Sequence, residues 1–178
     1  MFRLFVAIDP PAAVIARLGG LCAGVPGARW VEPDQMHLTL RFIGEVDGAV
    51  REDLRSELGR VLAARFTLTL SGTDCFGGRR RARTLWVGIE PCPPLLELHA
   101  KIEAALGRAG VAPEGRKFLP HLTLARLKAG PPDRIARFLA ETGGFKSEPF
   151  AVDTFALYES QLNRGGAVHT LDSDYRLA

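Results

Sequence analysis

A chain of 178 residues, 47% hydrophobic and 24% charged, can build a sizeable core, which excludes a disordered or low-complexity protein. Its net charge of +3 gives no general grip on polyanions, although a pI near 9.0 is compatible with an anionic substrate. No apolar run approaches the roughly 20 residues that span a bilayer, and the first acid comes too early for a secretory signal, so a cytoplasmic protein without a membrane partner is expected.

RLFVAID, from Arg3 to Asp9, reads as an apolar strand ended by an acid and a proline. Pro10-Pro11 suit the start of a helix, since the missing N–H costs nothing in a first turn. HLTLRFIG, opening at His37, is the second strand, a helix is predicted near Ala49–Ala63, and FTLTLSG from Phe66 is the third strand. Cys22, Cys75 and Cys92 are odd in number and lack C-x-x-C spacing, so they read as small packed thiols, not as a disulfide framework or a zinc site.

A glycine-flanked basic run, Gly78 to Arg83, leads into TLWVGIE, again a strand ended by an acid and a proline. Leu95, Leu98, Ile102 and Leu106 then recur at helical spacing, with Gly107 and Gly110 as stop signals. HLTLARL, opening at His121, is followed by a predicted helix at Pro132–Glu141 and by FAVDTFAL from Phe150.

These elements are written twice. The two HLTL copies are 84 residues apart, as are Phe66 and Phe150, and Leu4–Pro10 matches Leu85–Pro91 at an offset of 81. The chain is therefore read as one domain, 1–178, made of repeats at 3–76 and 84–160 and a C-terminal hairpin at 161–178. Two similar lobes meeting about a pseudo-twofold axis are expected. Alternating strands and helices suit a parallel sheet, but short repeats can equally pack as antiparallel sheets, and periodicity alone leaves both open.

Residues two apart on a strand share a face, so His37 goes with Thr39 and His121 with Thr123, while the leucines between them face the core. Two imidazoles and two hydroxyls meeting across a cleft suit phosphoryl chemistry. A neutral imidazole can remove a proton from an attacking water, and a protonated one can donate to the leaving oxygen. The hydroxyls can hold the non-bridging oxygens, where charge collects. A lone His-x-Thr is commonplace on strands; two copies at matching repeat positions are not. Neither motif brings a second His or a carboxylate at i+2 or i+4, so no metal and no other cofactor is expected.

At these residues the chain resembles the two-histidine (2H) phosphoesterase superfamily, whose signature is a pair of H-x-[ST]-x motifs. More narrowly it resembles the LigT-like 2′–5′ RNA ligase family of RNA 2′,3′-cyclic phosphodiesterases, through RLFVAID, WVEPDQMHLTLRFIGEV, RTLWVGIE and KFLPHLTLAR. The resemblance implies an α+β fold with two pseudo-symmetric lobes, each an antiparallel sheet flanked by helices, around a central cleft. It implies metal-independent hydrolysis of a 2′,3′-cyclic phosphate, on RNA ends or nucleotides, to the 2′-phosphomonoester. His37 is then the proton donor, His121 the proton acceptor, and Thr39 and Thr123 hold the phosphate. The repeat makes the two histidines equivalent, so this order comes from the resemblance alone. A monomer is expected. Ligation to a 5′-hydroxyl, or a non-catalytic nucleotide- or RNA-binding module, are the alternatives.

Arg126 matches a family position for a phosphate or ribose contact, although strict alternation points it away from His121 unless a bulge re-aims it. Its counterpart in the first repeat is Phe42, which together with Trp30 is a candidate for stacking on a base. Arg116, Lys117 and the run Arg79–Arg83 are candidates for an RNA backbone. His169 stands where the family often has an aromatic and is expected to be a solvated hairpin residue, and His99 is expected to be structural.

Overall fold

Alternation along the first strand, β1 (Phe2–Ile8), puts Leu4, Val6 and Ile8 on one face and Phe5 and Ala7 on the other, and all five are buried. A strand covered on both faces belongs inside a sheet. The computed structural model describes residues 1–178. After β1 come α1 (Ala12–Gly19), β2 (Arg29–Trp30), a 3₁₀ turn at Pro33–Gln35, β3 (Leu38–Val46), α2 (Gly48–Gly59), β4 (Phe66–Leu68) and β5 (Leu70–Phe76). The second repeat supplies β6 (Thr84–Ile89), α3 (Pro93–Arg108), β7 (His121–Arg126), α4 (Pro132–Thr142), β8 (Phe150–Val152) and β9 (Thr154–Asn163), and β10 (Gly166–Arg176) follows.

The strands form one sheet in the order β10-β9-β1-β3-β7-β6-β5, with β2 on β7, and a separate pair β4-β8. Every pairing is antiparallel, which gives an α+β architecture and resolves the orientation that periodicity left open. Two pairings set a residue against its own repeat copy: Leu38 faces Leu122, and Thr67 faces Ala151. A pseudo-twofold axis through both points accounts for this. From the β4-β8 pair each repeat continues into the opposite half of the sheet, so β5 pairs with β6 and β9 with β1. Each half thus draws on both repeats.

One face of the sheet is covered by helices. Leu4, Val6, Leu38, Leu85, Leu122 and Leu157 share a single core with Leu18 of α1, Leu54 of α2, Ile102 of α3 and Ile135 of α4. The helices begin where the sequence stops them from beginning earlier: Pro93 and Pro94 open α3, and the Asp47 side chain caps α2 by accepting from the Val50 N–H at 2.9 Å. The opposite face carries only a small cluster, Phe5, Ala7, Ala156 and Tyr158, and is otherwise open.

The C-terminal hairpin is pinned to α2 by a buried charge. Asp172 is the extra residue of a bulge between Leu171 and Ser173, and its side chain, fully buried, accepts from Arg51 Nε at 2.7 Å, Arg55 Nε at 2.8 Å and Ser173 Oγ at 2.9 Å. Burial alone would raise the Asp172 carboxyl, but these donors hold it below the ordinary carboxylate range. Its contribution is present above the unfolded value near 3.9 and is lost as pH falls through the lower folded value. Removing the acid takes away the counter-charge that Arg51 and Arg55 share and leaves each with one acid, Glu159 at 3.8 Å and Glu52 at 2.5 Å respectively. Asp172→Ala is therefore expected to cost about 3 kcal/mol in urea unfolding at pH 7 and to remove part of the acid-induced loss of stability.

Candidate active site

Both HxTx strands carry the same irregularity. In the first half Val6 lies opposite Arg41 and Ala7 opposite Thr39, so Leu40 is an extra residue on β3. In the second half Leu85 lies opposite Ala125 and Trp86 opposite Thr123, so Leu124 is the extra residue on β7. Each bulge turns two successive residues to the covered face: Leu40 with Arg41, and Leu124 with Ala125, all buried. The residue that follows returns to the open face beside the imidazole. Arg126 and Phe42, which is 51% exposed, are therefore both brought to the histidine side, against strict alternation for Arg126. Arg41 goes the other way, donating to the Ala112 carbonyl at 2.6 Å and lying 3.4 Å from Glu103.

Leu38 pairs with Ile8, which sets His37 across from Asp9 at the strand end. His37 Nδ1 lies 2.6 Å from Asp9 Oδ1, and the other carboxylate oxygen accepts from the Tyr158 hydroxyl. Burial raises the Asp9 carboxyl, and the His37 and Tyr158 hydrogen bonds more than reverse this, leaving it below its usual value. A carboxylate only accepts, so Nδ1 carries the proton and Nε2 is the working nitrogen. His37 Nε2 is buried without a hydrogen-bond partner. The His37 side chain is 8% exposed and lies against Tyr158, with ring centres 4.7 Å apart, and against Phe5 at 5.9 Å.

His121 is oriented differently. Its Nδ1 donates to the Leu119 carbonyl at 2.7 Å, which again frees Nε2. Phe76 meets the ring edge-on at 4.9 Å and Trp86 lies 5.6 Å away. Burial in this aromatic setting lowers the proton affinity of His121, the Leu119 bond partly restores it, and the nearby Arg126 cation lowers it again, so the net shift is downward.

A register difference separates the two halves. In the first, Ile8 faces Leu38; in the second, Gly88 faces His121. Glu90, the repeat counterpart of Asp9, thus lies two residues beyond the position opposite His121, about 7 Å along the strand. It pairs instead with Lys146 at 2.6 Å. A slip of two keeps every side chain on its own face while moving the acid out of reach. One imidazole is backed by an anion and the other by a neutral carbonyl.

Thr39 and Thr123 share the open face with the two imidazoles, opposite Ala7 and Trp86 respectively. Arg116 is exposed between α3 and β7, where its backbone N–H donates to Glu114, and its guanidinium makes no hydrogen bond or ion pair. Trp30 does not reach the open face: it packs 5.7 Å from Phe138 of α4, because pairing of β2 with Ala125 places it against the helix layer. Arg79–Arg83 sit in a tight turn that Gly77 permits, at φ +92° and with an added Cβ only 2.3 Å from the Arg81 carbonyl. His99 stacks on Phe118 at 3.9 Å, in keeping with a structural role.

His169 departs from expectation. It pairs with Ser160 of β9, which shares the Tyr158 face, so the ring turns inward instead of into solvent. It lies edge-on to Phe5 at 4.7 Å and 5.3 Å from His37. Asp9, Tyr158, Phe5, Phe76 and Trp86 also surround the two imidazoles, and the HxTx motifs mark none of them. The shared acid that ends both first strands was the sequence signal for Asp9; the others depend on cross-strand register.

The chain matches the family model of the 2′-5′ RNA ligase superfamily over residues 9–164. It is 33% identical to an RNA 2′,3′-cyclic phosphodiesterase of Thermotoga maritima, over 94% of this chain and 91% of that one. It is 34% identical to an RNA 2′,3′-cyclic phosphodiesterase of Escherichia coli, over 94% and 92%. A crystal structure of E. coli LigT complexed with 3′-AMP superposes with a TM-score of 0.83 at 31% identity, covering 99% of this chain and 98% of that one. With its paired HxTx strands on one open face, this chain belongs to the 2′-5′ RNA ligase superfamily.

Proposed function

We propose that this protein hydrolyses 2′,3′-cyclic phosphates, on RNA ends or on nucleotides, to 2′-phosphomonoesters, without a metal. The observation that carries this is the unequal pair of imidazoles on one face, each with Nδ1 tied down and Nε2 free. His121, neutral near pH 7, takes a proton from water as the water oxygen bonds to phosphorus. His37, with the Asp9 carboxylate beside it to stabilise its charged form, gives a proton to the 3′ oxygen as the P–O3′ bond breaks. The order of donor and acceptor that the repeats leave undetermined is thus supported by the register slip. Thr39 and Thr123 hold the non-bridging oxygens, and the Arg126 cation stands by the charge that gathers there. Phe42 offers a face to the base, and Arg116 a contact for the backbone of a longer RNA. The named activity of the two curated relatives supports the same reaction.

Incubation with 2′,3′-cyclic AMP in EDTA is expected to yield 2′-AMP. His37→Ala and His121→Ala are each expected to lower turnover by about 10²–10⁴-fold with unchanged circular dichroism. Binding without any product points instead to a non-catalytic module, and two active variants overturn the assignment. Asp9→Asn, which keeps the shape but not the charge, is expected to lower kcat roughly ten- to a hundredfold with little change in KM. Since only neutral His121 can accept the proton, activity falls as pH drops through its value, which lies below the usual 6.5. Arg126→Gln removes a cation that lowers this value, so the acid limb of the pH–rate profile is expected to move to higher pH.

A further inference from the structure

The third imidazole on the open face has no part in the acid–base scheme. His169 Nδ1 is buried with no hydrogen-bond partner, which leaves Nε2 as the nitrogen able to meet a ligand. A proton on Nδ1 would be a buried N–H with no acceptor, so the neutral tautomer carries its proton on Nε2. Burial also lowers its proton affinity, as do His37 and Arg126, with only Asp34 opposing. The ring is a neutral donor through Nε2.

Its place in the sheet says what it meets. In the proposed reaction the phosphate sits between the two reactive Nε2 atoms, and the departing oxygen, which belongs to the ribose, faces His37. The ribose and base therefore extend from His37 away from His121, in the direction of β1, β9 and β10. That direction leads over Phe5, which is itself 1% exposed and cannot offer a free face. Four rings surround Phe5: His37 is the acid–base group, Tyr158 is buried in its bond to Asp9, and Phe42, at 5.5 Å, and His169, at 4.7 Å, are left to meet a nucleoside. The Asp172 bulge fixes the strand on which His169 sits, because its two arginine partners anchor β10 to α2.

We infer that His169 is a specificity-determining residue, which donates from Nε2 to an acceptor on the nucleoside half of the substrate and takes no part in proton transfer. This rests on the cyclic phosphodiesterase reading for the direction in which the nucleoside lies.

Calorimetric titration with 2′-AMP and with inorganic phosphate, alongside kinetics on 2′,3′-cyclic AMP, tests it. In His169→Ala the Kd for 2′-AMP and the KM are expected to rise about three- to tenfold, with kcat and the phosphate Kd unchanged. His169→Gln, which keeps an N–H donor, is expected to recover part of the loss. Equal weakening of 2′-AMP and phosphate overturns the inference, because the contact is then to the phosphate. A fall in kcat at constant KM overturns it too, since His169 would then act through His37. Unchanged values throughout also overturn it. Should the wild-type protein fail to turn over the cyclic nucleotide, the proposed activity fails, while the two titrations still decide the role of His169.

Discussion

Leu38 against Leu122 is the register pair that joins the two halves of the main sheet, and each is the other's repeat copy. Antiparallel pairing at a pseudo-twofold axis forces the residues on either side into equivalent positions. His37 and His121 precede the paired leucines by one residue, so this contact alone puts both imidazoles on the same face. The leucines are fully or almost fully buried beneath, locking the pair to the helix-covered core. All that the open face does depends on that seam: the separation of the two rings, the hydroxyls two residues on, and the shared bulge that delivers Phe42 and Arg126.

Symmetry gives two matching imidazoles; the proposed acid and base need two different ones. The difference is made at modest structural cost. A two-residue change in pairing between β6 and β7 leaves every buried side chain on its proper face, yet withdraws Glu90 from His121. Around this slip the two rings acquire distinct surroundings. Tyr158 and Asp9 support one, while Phe76, Trp86 and a backbone carbonyl enclose the other. The same break appears five residues on from each histidine, where exposed Phe42 on one strand corresponds to Arg126 on the other.

The self-similarity, the four helices and the first two strands of each repeat are legible in the sequence, because they rest on local periodicity; each expected third strand is instead two, broken at Thr69 and at Asp153, and the halves pair with different partners. The helix near Ala49–Ala63 runs from Gly48 to Gly59, a boundary shift of the ordinary kind. Strand orientation, the exchange of third strands and the register slip are properties of pairs far apart in the chain, and no local pattern encodes them. Arg126 shows the limit clearly: a bulge of one residue reverses the parity from which its direction is reckoned. The inward turn of His169 is illegible for a related reason, since its face is set by the partner Ser160 and not by its own neighbours.

The exchange of third strands also governs when this molecule can become itself. β1 completes its pairing only with β9, and the Tyr158 hydroxyl reaches Asp9 across 149 positions of chain. Neither half of the sheet can close from the first repeat alone. During synthesis the N-terminal strand, apolar on both faces, waits uncovered on one edge until almost the whole polypeptide has emerged. Long-range closures of this kind slow folding and leave an adhesive edge open in the meantime. The last strands made are thus the ones that finish the setting of the first histidine, and the site is assembled only in an intact chain.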